Sequence, residues 1–210
     1  MVTVDALIGA LESYRAPDVF NPWAEQCACD AIPAACRGRK QRLSAHLEQK
    51  NIRAILVGEA AGYQGCRYSG ITFTSERLLL EGAIPGMSRI DHRLTTRPLP
   101  FSEPSATIVW GILRELEIAE RVILWNAFPW HPTKEGQIHS NRTPTRQELR
   151  EGLPLLELLL QRFDKTPVIA VGRKAAQSLQ QLGIRTDREV RHPAMGGATK
   201  FREAMRRFLD

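Results

Sequence analysis

The chain has 210 residues, with 29 Lys and Arg against 23 Asp and Glu, a formal charge of +6, and 43% hydrophobic content. That length fits one domain, here 1–210, and that much apolar content supports a core, which excludes a disordered tail or a disulfide-stapled miniprotein. No apolar run approaches the roughly 20 residues that span a bilayer. The N-terminal stretch carries Asp5 and Glu12 and no basic leader, so a cytosolic monomer without a signal peptide is expected.

Charge is unevenly spread. Residues 1–36 contain one basic residue, Arg15, and five acidic ones, a net of −4, whereas residues 37–210 contain 28 basic and 18 acidic, a net of +10. Arg outnumbers Lys 23 to 6. Guanidinium forks pair with phosphate oxygens, which points to a polyanion partner, although a GC-rich genome also enriches arginine. The four cysteines, at 27, 29, 36 and 66, lack the paired C-x2-C knuckles of a zinc ribbon, and a cytosolic disulfide is disfavoured. Free thiols and no metal or cofactor are expected.

In chain order, residues 3–14 read as a short helix with Val4, Leu7, Ile8 and Leu11 on one stripe, and the stretch from Pro17 to Pro33 reads as irregular. Residues 1–36 are expected to form a cover over the sheet. Residues 37–50 predict a basic amphipathic helix around Leu43 and Leu47. AILVG at 54–58 is a buried parallel strand entering a loop, and the signature recurs at VILWN (122–126) and VIAVG (168–172), with a weaker fourth strand at 188–193. Helical patterns lie between, over 105–118, 173–183 and 198–209. A further helix from Thr145 to Phe163 starts on a capping box with Glu148 and contains Pro154, which should kink it. Strands alternating with helices predict an α/β fold with a parallel sheet.

Ligands of open parallel sheets bind beyond the C-terminal ends of the strands. After the first strand comes GEAAGYQGCRYSGITFTSE (58–76), whose glycines allow close backbone approach to a ligand. It is neither a phosphate-binding P-loop nor a dinucleotide fingerprint. Glu59 is its only carboxylate before Glu76, and Phe73 either covers a planar ligand or packs in the core. The second strand ends in Asn126, whose amide both donates and accepts and so suits the edge of a nucleobase, or caps a loop. His131, between Trp130 and Pro132, reads equally well as a surface histidine. His192 precedes Pro193 in HPAMGGATK (192–200).

These segments resemble the uracil-DNA glycosylase superfamily. GEAAG (58–62) resembles its first motif, most nearly the GEAPG form of the family-four enzymes. NAFP (126–129) resembles the strand-end asparagine that reads uracil, SNRTPTRQEL (140–149) is similar to a family-four segment, and RHPAMGG (191–197) resembles the second motif. The resemblance covers roughly residues 50–210. It implies a three-layer α/β/α sandwich around a central four-stranded parallel sheet, and an enzyme that flips uracil out of DNA and hydrolyses its N-glycosidic bond. It further implies that Phe73 stacks on uracil, Asn126 pairs with its edge, His192 supports the charge growing on O2, and backbone amides near Ala60 add donors. Met195 falls where a hydrophobic wedge enters the stack, and Arg142, Gly196 and Lys200 fall among the DNA contacts.

Some positions depart from the pattern. Ala60 stands where the best-known members carry a water-activating aspartate, so Glu59 or Gln64 takes that role. Gly62 stands where a tyrosine excludes thymine, leaving that to Tyr63 or the loop backbone. The cysteines do not follow the family-four cluster pattern. His139 lies near the place of a histidine that traps DNA covalently in one relative, without the basic loop that accompanies it. Two alternatives remain open: a glycosylase for hypoxanthine or xanthine, and a non-catalytic binder of uracil or abasic DNA, the latter favoured by Ala60.

Overall fold

The computed structural model describes residues 2–184 and 188–209. Its three apolar runs become neighbouring strands: β2 (Ala54–Ala60), β3 (Val122–Phe128) and β5 (Val168–Val171), with the short β6 (Glu189–Val190) completing a four-stranded sheet. The strands are all parallel, in the order β3-β2-β5-β6. A two-residue pair, β1 (Val19–Phe20) with β4 (His131–Pro132), runs antiparallel outside it. The helices are α1 (Val4–Ser13), α2 (Ala35–Leu47), α3 (Cys66–Ser69), α4 (Glu76–Leu80), α5 (Pro104–Glu115), α6 (Arg146–Arg162), α7 (Arg173–Gln181) and α8 (Ala198–Leu209). Among the described residues no helix is long and apolar enough to cross a membrane.

Successive side chains of a strand point to opposite faces, so each strand feeds two cores. Ile55 and Val57 of β2 join Ile123 and Trp125 of β3 beneath α1, α2, α6 and α7. Ala54 and Leu56 join Val122 and Leu124 beneath α4, α5 and α8. The result is the expected three-layer α/β/α sandwich. The N-terminal segment is held by the buried stripe of α1 and by Asn21, whose amide donates to the Leu11 and Tyr14 carbonyls at 2.6 and 3.1 Å and accepts from the Trp23 N–H.

Three local expectations change in detail. The strands β2 and β3 run two residues further than their apolar cores, because parallel pairing continues through Gly58↔Asn126 to Ala60↔Phe128. Thr145 and Glu148 form the capping box, but α6 passes unbroken through Pro154. That proline lies on the exposed face, where water can satisfy the carbonyl it leaves unpaired. The loop after β2 is not open coil but contains α3 and α4.

The strand β3 is an edge of the sheet, and its Leu124 N–H is not left to water. It donates to Nε2 of His46 on α2, at 2.9 Å, with the ring 1% exposed. Burial pushes the His46 pKa down to about 4, which keeps the ring neutral and Nε2 an acceptor. Replacing His46 by Leu keeps the packing but orphans a buried backbone donor. Urea unfolding of H46L should show a loss of about 1–3 kcal/mol; an unchanged midpoint would show that the bond carries no stability.

Candidate active site

A cavity of about 770 Å³ opens at the C-terminal ends of β2 and β3, within the size range of ligand sites. Glu59, Ala60, Gln64, Phe73, Asn126 and His192 all line it, brought together from three separate stretches of chain. Asn126 is 3% exposed, and its amide makes no hydrogen bond to any described residue. Opposite it on β2 is Gly58, where a Cβ would sit 2.7 Å from Asn126 Oδ1 and 2.9 Å from Phe73 Cζ. The absent side chain is what allows ring and amide to converge over the strand.

Phe73 serves both readings offered by the sequence. It packs in the α5-side core and also forms a wall of the cavity. Its φ of 51° is a left-handed conformation uncommon for a bulky residue, of the kind held at functional sites by the surrounding fold. The His192 ring lies 5.8 Å from it, centroid to centroid, at 43°. Its Nδ1 accepts the Ala194 N–H at 3.1 Å, so the neutral ring carries its proton on Nε2. Burial holds the His192 pKa below its ordinary value, favouring that neutral form.

The walls are fixed by polar contacts that the sequence does not announce. Asn141 Oδ1 accepts the Tyr63 N–H at 3.0 Å and lies 3.2 Å from His131 Nε2, tying the loop after β2 to the loop after β4. His131 is fully buried rather than on the surface: its Nε2 donates to the Ser140 carbonyl at 2.8 Å, and its Nδ1 accepts from Arg67 at 2.9 Å. Burial and the Arg67 charge push its pKa down to about 4. Arg67 in turn stacks 3.7 Å from the centroid of Phe20, the partner of His131 across β1 and β4. Glu76 is fully buried and accepts from the backbone of Leu94, Thr95 and Phe101, the Thr95 hydroxyl and Arg93. Burial alone would raise its pKa, but these donors hold it below the ordinary value.

Other residues singled out from the sequence fall outside the pocket or on its rim. The Tyr63 ring is not a cavity wall; it lies edge-on to Phe101 at 5.7 Å. Arg142 borders the cavity, but its guanidinium already grips both Glu148 oxygens at 2.6 and 2.7 Å and donates to the Thr133 carbonyl. Met195 is 92% exposed with a φ of 53°, followed by exposed Gly196 and, in the first turn of α8, exposed Lys200. His139 is exposed beside the Tyr68 hydroxyl, 3.2 Å away. All four cysteines are free, and among the described residues no three His, Cys, Asp or Glu side chains cluster as a metal site. The cavity wall also includes Glu103, Pro104, Ser105, Asn141 and Thr143, which the sequence does not mark as site residues. Asn141 lies in the SNRTPT segment, whereas Glu103, preceding Pro104, reads as an ordinary helix start.

A family model for the uracil DNA glycosylase superfamily matches residues 45–208, the span that holds every motif segment. The chain belongs to the uracil DNA glycosylase superfamily. It is a DNA glycosylase, an enzyme of base excision repair, and the net charge of +10 over residues 37–210 suits its polyanionic substrate. Among solved structures, wild-type SMUG2 of Pedobacter heparinus is similar, with a TM-score of 0.63 and 14% identity over 99% of this chain and 96% of that one. At that identity the likeness concerns the fold. Among curated proteins none matches the chain.

The buried histidines of this glycosylase give its stability a definite pH dependence. His46 and His131 titrate near 4 when folded but near 6.5 when unfolded, so between those values the unfolded chain binds more protons. Their contribution is complete above about pH 6.5 and is lost as pH falls toward 4. Urea midpoints measured from pH 7.5 to 4.5 should fall through that window, and H131Q should flatten part of the slope. A flat profile in the wild type would show that the rings are not buried neutral.

Proposed function

We propose that the enzyme is a monofunctional uracil-DNA glycosylase that flips uracil from DNA, hydrolyses its N-glycosidic bond and leaves an abasic site. The observation that carries this reading is the buried, unpartnered amide of Asn126 beside Phe73 in the cavity. The amide faces the cavity with both its donor and its acceptor uncommitted, and the uracil edge matches them: N3–H donates to Oδ1 while O4 accepts from Nδ2. Phe73 offers its face to the flipped ring, since a base inside the duplex is out of reach.

Bond cleavage pushes negative charge onto uracil O2. Nε2–H of a neutral His192 donates to that oxygen, strengthening as the charge grows, without needing to transfer its proton. Glu59 and Gln64 on the cavity wall help orient water, since Ala60 offers no carboxylate. With the Tyr63 ring outside the cavity, exclusion of the thymine methyl falls to the loop backbone around Ala60 to Gly62. Exposed Met195 fits a wedge that fills the vacated stack, and Gly196 and Lys200 beside it fit contacts to the backbone.

Labelled oligonucleotides with one uracil, single-stranded or opposite G or A, test the proposal when treated with enzyme and then alkali. Strand breaks should occur at uracil and not at thymine. N126A and H192A should each lower the cleavage rate by about 10²–10³-fold, and M195A should impair duplex substrates more than single strands. Equal cleavage at thymine would refute the specificity, and a uracil-dependent gel shift without breaks would favour a binding protein.

A further inference from the structure

Two carboxylates line the cavity, Glu59 and Glu103, and the second has no place in the reading so far. Glu103 is the N-cap residue of α5, where an acidic side chain ordinarily turns back to accept a backbone N–H of the first turn. It makes no such bond. Its carboxyl lies instead against Gly65, where a Cβ would sit 1.9 Å from Oε2, 2.9 Å from Cδ and 3.2 Å from the Thr74 carbonyl. The glycine clears the space the carboxyl occupies.

No described residue donates a hydrogen bond to that carboxyl or pairs with its charge. The titratable or charged groups that face it are Cys66 on α3, buried and held protonated by burial, Glu59 at the end of β2, and Arg142 and His192 across the cavity. Arg142 is committed to Glu148, and His192 is neutral. The buried carboxylates Glu76 and Glu148 are paired with Arg93 and Arg142, and the buried side chain of Asp30 with Arg39. Glu59 and Glu103 are both without a protein partner among the described residues, but only Glu103 is seated against a glycine at the start of a helix it does not cap.

We propose that Glu103 is the general base of the reaction, accepting the proton of the water that attacks the sugar. The inference rests on the glycosylase reading and adds the residue that Ala60 leaves missing. Water oxygen bonds to C1′ as the C1′–N1 bond breaks; the bonding pair leaves with the base, whose O2 is held by His192. The water proton passes to the Glu103 carboxylate and then to solvent, and the departing base anion takes a proton from solvent. Burial raises the Glu103 pKa to about 7, which suits a base working near neutral pH.

Single-turnover cleavage between pH 6 and 9, on oligonucleotides carrying uracil, hypoxanthine or xanthine, tests this. The wild-type rate should fall below about pH 7 as Glu103 protonates. E103Q should lose about a hundredfold or more and lose that acidic limb, while binding uracil DNA within a few-fold of wild type. E103A should regain part of its rate in formate, a rescue that a merely structural side chain would not show. E59Q should be slower but keep the limb. Wild-type rates in E103Q, or a limb abolished by E59Q instead, would overturn the assignment. A wild type that cleaves hypoxanthine or xanthine but not uracil would refute the uracil reading while leaving Glu103 tested on that base. Cleavage of none of the three would overturn both.

Discussion

Gly58 of β2 lies directly across the sheet from Asn126 of β3, and the whole cavity is arranged around that pairing. Side chains alternate along each strand, so both positions point to the α5 side, the face that carries Phe73 and receives α4, α5 and α8. A slip of one residue would turn Asn126 toward α6 and bury its amide among leucines. The register is held by the apolar residues below it, from Ala54↔Val122 to Val57↔Trp125, and by His46, which closes the outer edge of β3 at Leu124. A polar site is thus placed by apolar contacts beneath it and by one buried hydrogen bond at the sheet edge.

Above the sheet, charge is handled by contrast. His46 and His131 are buried, neutral and used as fixed acceptors or donors for their surroundings. His192 is neutral too, but its Nε2–H has no partner among the described residues. Among the carboxylates the same division holds. Glu76 and Glu148 organise loops through full sets of donors, whereas Glu103 and Glu59 have none among the described residues. In each class these unpartnered members border the cavity with Asn126, which is the arrangement expected where groups are kept for a substrate rather than for the fold.

Much of this was legible in the sequence because it depends on periodicity and strand position. The apolar strands, the capping box at Thr145 and the helices of both layers follow from local pattern. Glu59, Phe73, Asn126 and His192 follow from reading what stands near the ends of the parallel strands. What stayed hidden depends on long-range contact. Buried His131 is met by Arg67 and Asn141, which come to it from 64 and 10 residues away. Glu103 sits at a helix start that looks conventional until its carboxyl is found against Gly65. Tyr63 is drawn off by Phe101, itself placed by Glu76 through the loop that the sequence leaves without pattern.

The most direct test of the account is a crystal structure of the enzyme with free uracil. Uracil should lie against Phe73, with N3–H and O4 on the Asn126 amide and O2 facing Nε2 of His192. Density for uracil elsewhere, or a ring in the cavity with its O2 turned away from His192, would contradict the assignment of this pocket.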